Sequence, residues 1–322
     1  MSKTAFLFPG QGAQLVGMGA DIVRAFPKAA QLFGKANAIV GFDLQSICFS
    51  GPEDKLSGTE ISQPAIFTVS AALLEMLKEM APSLKPQVTA GLSMGEYTAL
   101  YAAGLMSFED ALKLVLKRGQ AMQAAAAASR GSMVSILGLD ESKVRELCAE
   151  ASQGQLLIAV NFNCPGQIVV SGAIEACQRA AELAPKYGAM KAIPLAVAGA
   201  FHTEMMTPAA KNLEQALAGC PLKDPAEIQV IANVSADYYA NAGQIRQGLV
   251  RQLVEPILWQ KCIERLIADG VTKFYEIGPN RVLTGLMKRI YRKADIVNVS
   301  TLETLQASRH KDTEKDVWRK NG

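Results

Sequence analysis

The stretch QVTAGLSMGEY, residues 87–97, decides the fold of this chain and contains the motif Gly91-Leu92-Ser93-Met94-Gly95. Residues 88–90 have the pattern of the end of a short strand, and residues 96–103 have the pattern of a helix. A serine in G-x-S-x-G between a strand and a helix is typical of a nucleophile elbow, whose tight turn leaves no room for a Cβ beside the serine. We therefore predict that Ser93 is a nucleophile whose oxygen faces the N-terminus of a helix.

The composition is that of a globular protein and excludes several classes. The 322 residues are 49% hydrophobic and 20% charged, enough for one large domain with an insertion or for two domains. A net charge of +3 does not indicate nucleic-acid binding, and no apolar run reaches the ~18 residues that span a membrane. The six cysteines form no C-x-x-C pair, which argues against zinc and favours a reducing compartment. We predict a cytoplasmic protein with no metal or other cofactor and no nucleic-acid or membrane partner, and we expect a monomer.

The middle of the chain has the strand and helix order of a separate unit. Strands are predicted at 132–138, 156–160, 167–171 and 190–197, and helices at 141–151 and 175–187. The order β-α-β-β-α-β is that of a ferredoxin-like unit of about 70 residues. We therefore predict an α/β protein with a discontinuous core, residues 1–130 and 199–305, a ferredoxin-like subdomain at 131–198, and a polar, mobile tail at 306–322.

The remaining predicted elements belong to the core. A strand at 4–8 leads into a Pro-Gly-Gln-Gly loop at 9–12 whose backbone lies close to another group, but the spacing of a phosphate-binding loop is absent. One helix is predicted over 21–40, and 51–58 is predicted to be a turn-rich connection. A further helix is predicted from Ser62 to about Met80, with Pro64 in its first turn.

A serine nucleophile requires a base, and the chain has only two histidines. His310 lies in the polar tail, whereas His202 lies in a loop of small residues where the chain returns from the predicted subdomain. His202 is therefore the only plausible partner for Ser93. No single acid stands out as the third member of a triad, and a dyad oriented by a backbone carbonyl remains open as the alternative.

Several motifs together resemble one family, the malonyl-CoA:acyl carrier protein transacylases. They occur in the order of that family over residues 3–305: Phe8-Pro9-Gly10-Gln11-Gly12, Gln63-Pro64-Ala65, Gly91-Leu92-Ser93-Met94-Gly95-Glu96, Lys117-Arg118-Gly119, Gly199-Ala200-Phe201-His202 and Gly278-Pro279. The resemblance implies an α/β-hydrolase-like core with a parallel sheet and an inserted ferredoxin-like subdomain. It also implies malonyl transfer from malonyl-CoA to acyl carrier protein through a malonyl-serine intermediate, by a ping-pong mechanism that supplies fatty-acid synthesis.

The resemblance implies roles for individual residues. Ser93 would be the acylated nucleophile and His202 its general base and acid. The backbone N–H groups of Gln11 and Met94 would form the oxyanion hole. The backbone carbonyl of Gln252 would orient His202 in place of the acid of a triad.

Substrate selection would rest mainly on Arg118. The helical pattern by itself favours a solvent-exposed position for this residue, whereas the resemblance implies that its guanidinium pairs bidentately with the malonyl carboxylate. Phe201 resembles the bulky residue that limits pocket size in malonyl-selective members. Gln63, Asn161 and Asn163 are further candidates for the wall of the acyl or pantetheine channel, although turn and strand-end positions explain the asparagines equally well.

A basic cluster on a late predicted helix, which includes Lys288 and Arg289, is a candidate docking site for the acidic acyl carrier protein, although a solvated helix face explains it as well. Three alternatives to the main hypothesis remain. They are a serine hydrolase or thioesterase with the same Ser–His dyad, a non-catalytic scaffold that kept the fold, and a stand-alone acyltransferase of a polyketide pathway.

Overall fold

Two sheets organise the chain in this computed structural model, which describes residues 3–197 and 199–308. Their strands are β1 (Lys3–Phe8), β2 (Val88–Gly91), β3 (Gly131–Leu137), β4 (Leu157–Cys164), β5 (Gln167–Ala173), β6 (Lys191–Pro194), β7 (Gln229–Val230), β8 (Val271–Ile277) and β9 (Asp295–Val299). One sheet has the order β7-β2-β1-β8-β9 and the other has the order β4-β5-β3-β6.

Helices pack on the sheets and connect their strands. They are α1 (Ala20–Ala25), α2 (Pro27–Val40), α3 (Leu44–Ser50), α4 (Glu53–Ser57), α5 (Thr59–Met80), α6 (Gly95–Ala102), α7 (Phe108–Ala127), α8 (Glu141–Ser152), α9 (Ile174–Leu183), α10 (Thr207–Ala218), α11 (Ala242–Arg251), α12 (Trp259–Ala268) and α13 (Val282–Ile290). Two 3₁₀ turns lie at Ala184–Tyr187 and Glu204–Met206, and a last helical stretch covers 302–308. Within the described ranges, no helix is both long and apolar enough to cross a bilayer.

The five-stranded sheet is parallel throughout and is covered on both faces. In β1, Phe6 and Phe8 pack into the larger hydrophobic cluster with α5 and α7, whereas Ala5 and Leu7 pack into a second cluster with α12 and α13. This alternation explains why the strand is an uninterrupted apolar run: successive side chains face opposite layers and both layers are buried. The loops after β1 and β2 emerge at the same carboxyl edge, where α/β sheets bind ligands.

The four-stranded sheet is antiparallel, and α8 and α9 pack on one of its faces. Its strand order, with β3 and β5 in the centre and β4 and β6 at the edges, is the arrangement of a ferredoxin-like unit. The chain enters this sheet after α7 and returns to the parallel-sheet core before α10. The α/β fold class predicted from the sequence, a parallel sheet with an added ferredoxin-like unit, is confirmed.

Three predictions for the first 80 residues were wrong. The helix predicted over 21–40 is broken at Phe26, which is extended because it precedes Pro27, the first residue of α2. Helix α5 begins at Thr59 rather than Ser62, so Pro64 lies inside the helix and not in its first turn. The connection predicted over 51–58 contains the short helix α4.

Later corrections concern segment ends. Strand β4 continues to Cys164, so Asn161 and Asn163 lie in its second half, and the strand-end position fits them whereas the turn position does not. Strand β6 covers only Lys191–Pro194 of the predicted 190–197. The tail predicted from residue 306 begins too early, since 302–308 is helical and Ser308 is buried. Residues 309–322, which include His310, lie outside the described residues.

Candidate active site

The turn that carries Ser93 is compressed between β2 and α6. Ser93 has φ = 50°, a left-handed conformation that a non-glycine residue adopts only when its surroundings enforce it. A Cβ on Gly91 would clash with the backbone of Gly95, and a Cβ on Gly95 would clash with the carbonyl of Phe8. Both motif glycines are therefore required by close backbone approach, which is the physical basis of the G-x-S-x-G signal.

His202 meets Ser93 across the carboxyl edge of the sheet. Its Nε2 lies 3.1 Å from the Ser93 Oγ, and its Nδ1 lies 2.6 Å from the backbone oxygen of Gln252. A carbonyl only accepts hydrogen bonds, so Nδ1 carries the proton and Nε2 is free to accept one from the serine hydroxyl. Burial, helped by the charge of Arg118, lowers the pKa of His202 to about 3, so the imidazole is neutral as a general base requires. The predicted roles of these residues remain predictions, but the geometry is that of a dyad oriented by a carbonyl.

The loop after β1 lies against the Ser93 turn. A Cβ on Gly10 would clash with the carbonyl oxygen of Leu92, and Gly10, Gln11, Ser93 and His202 line the same cavity. Among the residues that the structure describes, neither the backbone N–H of Gln11 nor that of Met94 donates to a protein acceptor. Both N–H groups are therefore free to donate to another acceptor, and their role as an oxyanion hole remains a prediction.

Arg118 is buried, with 1% of its surface exposed, so the solvent-exposed position that its helix pattern favours is wrong. One guanidinium nitrogen donates to Gln63 Oε1 at 2.8 Å. The other donates to the Ser93 Oγ and to Gln252 Oε1, both at 2.9 Å. Because two fixed amide oxygens hold the fork, it stands beside the nucleophile in a defined orientation.

The other predicted site residues occupy two kinds of position. A cavity of about 400 Å³ opens above Ser93, and Asn161, Asn163 and Phe201 lie on its wall. Gln63 does not line this cavity but holds Arg118 from the core side. Apolar side chains from the antiparallel sheet, from α7, from α13 and from the segment after β6 complete the wall: Met122, Met133, Val169, Leu195, Val197, Val282 and Leu286. The volume is in the range of sites that bind small organic ligands.

Lys288 and Arg289 lie on the exposed side of α13, the helix that contributes Leu286 to the cavity wall. Lys288 Nζ donates to the backbone oxygen of Ala294 at 2.6 Å. Arg289 donates to Gln167 Oε1 at 2.7 Å and so connects α13 to the β4–β5 turn. Their predicted role in carrier-protein docking remains a prediction.

Sequence reasoning missed a buried polar cluster beneath the Ser93 turn, formed by Glu96, Asn233 and Tyr239. Asn233 Oδ1 accepts from the backbone N–H of Ser93 at 2.7 Å, and its Nδ2 donates to the carbonyl of Gly91 at 2.8 Å. The backbone N–H of Asn233 and the Tyr239 hydroxyl donate to the Glu96 carboxylate. A glutamate directly after G-x-S-x-G was a usable signal, whereas Asn233 and Tyr239 follow a two-residue strand and had none.

Across the described part of the chain, no group of three or more histidine, cysteine or acidic side chains has an arrangement that could hold a metal ion. All six cysteines are buried and unpaired. Burial raises the pKa of the Cys48 thiol to about 12.

Comparison with known proteins gives the same family from sequence and from structure. The family described as "Acyl transferase domain" matches residues 5–318. The malonyl CoA-acyl carrier protein transacylase of Bacillus subtilis (strain 168) is 45% identical over 307 residues, which are 95% of this chain and 96% of that protein. The enzyme of the same name from Escherichia coli (strain K12) is 42% identical over 290 residues, 90% of this chain and 93% of that protein.

Two solved structures share the whole fold. The malonyl CoA-acyl carrier protein transacylase of Coxiella burnetii has a TM-score of 0.92 at 37% identity and covers 96% of this chain and 97% of its own. A malonyl-transacylase solved in complex with its type II PKS acyl-carrier protein has a TM-score of 0.92 at 39% identity and covers 96% of this chain and 100% of its own. The chain therefore belongs to the acyl transferase family, and within it to the malonyl-CoA:acyl carrier protein transacylases.

Proposed function

We propose that this protein transfers the malonyl group from malonyl-CoA to the phosphopantetheine thiol of acyl carrier protein, through a malonyl ester of Ser93. The observation that carries the proposal is the buried guanidinium of Arg118, 2.9 Å from the Ser93 Oγ. A fixed positive charge beside the nucleophile suits an acyl group that ends in a carboxylate. A general esterase does not require a positive charge at this position.

In the first half-reaction, the Ser93 Oγ attacks the thioester carbon while His202 Nε2 takes the hydroxyl proton. The oxygen of the tetrahedral intermediate is stabilised by the N–H groups of Gln11 and Met94. Losing one such donor typically costs about 10²–10³ in rate. The carbon–sulfur bond then breaks, CoA leaves as a thiolate, and the proton on His202 passes to it.

In the second half-reaction, His202 Nε2 takes the proton of the carrier thiol, and the sulfur attacks the ester carbon. The bond to the Ser93 Oγ breaks, and the serine recovers its proton from His202. The two thiols use the site in turn, so the kinetics are ping-pong. The related transacylase solved together with an acyl-carrier protein supports a carrier protein as the acceptor.

The product supplies fatty-acid synthesis in this proposal. A polyketide pathway is the second candidate, because the structural relative in the complex acts with a type II PKS carrier. The chemistry is identical in both pathways, and only the carrier differs. The proposed reaction uses no metal or other cofactor and requires a single copy of the chain. A cytoplasmic location remains a prediction.

Intact-protein mass after brief incubation with malonyl-CoA tests the proposal directly. We expect one malonyl adduct on the unmodified protein, a weak signal with acetyl-CoA, no adduct on Ser93→Ala, and loss of the adduct when acyl carrier protein is added. Free malonate without an adduct, or an adduct that water removes as fast as carrier protein does, would favour the hydrolase alternative.

A further inference from the structure

Glu96 is a charged residue with no exposed surface, in the first turn of α6 directly below the nucleophile. Its Oε1 accepts a hydrogen bond from the hydroxyl of Tyr239. Its Oε2 accepts from the backbone N–H of Asn233 at 3.0 Å and from Gln252 Nε2 at 2.8 Å. Both oxygens therefore face donors, which is the environment of an ionised carboxylate rather than of a neutral acid.

The side chain of Gln252 connects the Glu96 carboxylate to the guanidinium of Arg118. Its Oε1 accepts from Arg118 at 2.9 Å, and its Nε2 donates to Glu96 and also to the backbone oxygen of Ser93 at 3.0 Å. One amide therefore lies between a buried guanidinium and a buried carboxylate. The backbone oxygen of the same residue holds His202.

Arg118 needs a counter-charge, because a buried cation without one carries a large desolvation penalty. In the part of the chain that the structure describes, no carboxylate lies within ion-pair distance of its guanidinium. Burial lowers the pKa of Arg118, whereas Tyr97 and the charge of Glu96 raise it. Glu96 is the carboxylate among these groups, and the Gln252 amide is hydrogen-bonded to both Arg118 and Glu96.

We propose that Glu96 is the internal counter-ion of Arg118, relayed by the Gln252 amide, and that its charge sets how strongly the site prefers a carboxylated acyl group over a neutral one. The inference rests on the proposed malonyl transfer. Glu96 is a positioning residue in this role, since it acts on the substrate only through Arg118.

The direction of the effect follows from electrostatics. In the free protein the carboxylate of Glu96 partly neutralises the field of Arg118. When the malonyl group binds, the malonyl carboxylate is attracted by the Arg118 guanidinium and repelled by the Glu96 carboxylate. Without the charge of Glu96, only the attraction by Arg118 remains. Discrimination in favour of malonyl should therefore rise, by at least about fivefold if the coupling has the usual size.

Glu96→Gln separates the charge from the hydrogen bonds. An amide oxygen at the Oε2 position still accepts from Asn233 and Gln252, and the amide nitrogen at the Oε1 position can donate to the Tyr239 oxygen. The quantity to measure is kcat/KM for acylation by malonyl-CoA divided by that for acetyl-CoA. We expect this ratio to rise in Glu96→Gln, and an unchanged or lower ratio would overturn the proposal.

Glu276 offers a matched control. It is also buried without exposed surface, but its carboxylate accepts from the backbone N–H groups of Leu283 and Thr284 at the start of α13. Glu276→Gln should lower the thermal unfolding midpoint and leave the malonyl-to-acetyl ratio unchanged. If both variants changed the ratio alike, the effect of Glu96 would be general destabilisation and the proposal would fail.

A second measurement needs no variant. Burial, against the hydrogen bonds of Tyr239, Asn233 and Gln252 and the charge of Arg118, raises the pKa of Glu96 to about 7. The charge is therefore mostly absent near pH 6 and present near pH 8.5, so the ratio should fall as pH rises across this range and stay flat in Glu96→Gln. A flat ratio in the unmodified protein would contradict the proposal.

The other groups around Glu96 do not titrate in that window. Burial raises the pKa of the Tyr97, Tyr239 and Cys262 side chains above their ordinary values, and Arg118 remains charged. The pKa of His202 lies far below the window. Failure of the underlying function is distinguishable, because it would appear as absence of the malonyl adduct in the unmodified protein before any ratio is measured.

Discussion

The two sheets contribute different things to one cavity. Ser93, His202, Arg118 and Gln252, whose atoms meet within hydrogen-bonding distance, all come from the parallel-sheet core. The antiparallel sheet contributes only residues of the cavity wall: Met133, Ser135, Asn161, Asn163, Gln167 and Val169.

The difference follows from how each kind of sheet ends. Parallel strands finish at one edge, where loops and helix N-termini leave backbone N–H groups unused and hold side chains in strained turns. Antiparallel strands use their backbone N–H and C=O groups in hydrogen bonds to neighbouring strands, and only alternate side chains point to any one face of the sheet. The reacting groups therefore belong to the parallel-sheet core, and the antiparallel sheet supplies only part of the cavity wall.

The largest effect should come from a change in the core. Arg118→Ala removes the charge that pairs with the malonyl carboxylate and leaves two amide oxygens without their donor. Because charge-assisted pairs contribute about 1.5–3 kcal/mol, malonyl transfer should fall by roughly 10–100-fold relative to acetyl transfer. The check is the ratio of adduct formation rates with malonyl-CoA and acetyl-CoA, with Arg118→Lys as the matched variant that keeps the charge but not the fork. Equal ratios in all three proteins would remove Arg118 from substrate selection.

A change in the subdomain wall should act on binding alone. Asn163 is buried on the cavity wall, and its Oδ1 has no hydrogen-bond partner among the described residues. Asn163→Ala should raise the KM for malonyl-CoA by about two- to tenfold, because one hydrogen bond to bound substrate is lost, and leave kcat nearly unchanged. Steady-state kinetics measure both constants. A fall in kcat of the size seen for a core residue would break the division between the two sheets.

The smallest effect should come from α13, the core helix that borders the wall. Lys288→Glu should raise the KM for acyl carrier protein a few-fold at low salt without changing the KM for malonyl-CoA, since surface charge mainly speeds encounter. Lys143→Glu, an equal change of charge on the exposed face of α8, is the control. If the two variants behave alike, the docking surface does not include α13.

The elbow could be predicted from the sequence because its two required glycines flank Ser93 in a short motif. Gly91 is required by the approach of the Gly95 backbone four residues later, whereas Gly95 is required by the approach of Phe8 in β1. The ferredoxin-like order could be predicted for the same reason, since each strand and helix carries its own periodicity. Helix ends were less certain, and Pro64 inside α5 shows why. Pro64 is buried inside the helix, a position that the local preferences of proline do not predict.

The burial of Arg118 and the counter-charge of Glu96 could not be predicted from local patterns. In a helix pattern Arg118 resembles a solvated residue, and Glu96 resembles an acidic residue that favours the first turn of a helix. Their environments depend on Gln63, Asn233, Tyr239 and Gln252, which lie far away in the sequence and meet them only in the folded chain.

The sequence by itself indicated Ser93 as the candidate nucleophile, His202 as its only plausible base, a parallel sheet with a ferredoxin-like unit, and the family, because each is recorded in short motifs or in periodicity. Only the tertiary structure decided the protonation state of His202, the orientation of Arg118 and the link through Gln252 to Glu96. Those properties arise from desolvation and from hydrogen bonds between distant segments, and such interactions leave no pattern in the local order of residues.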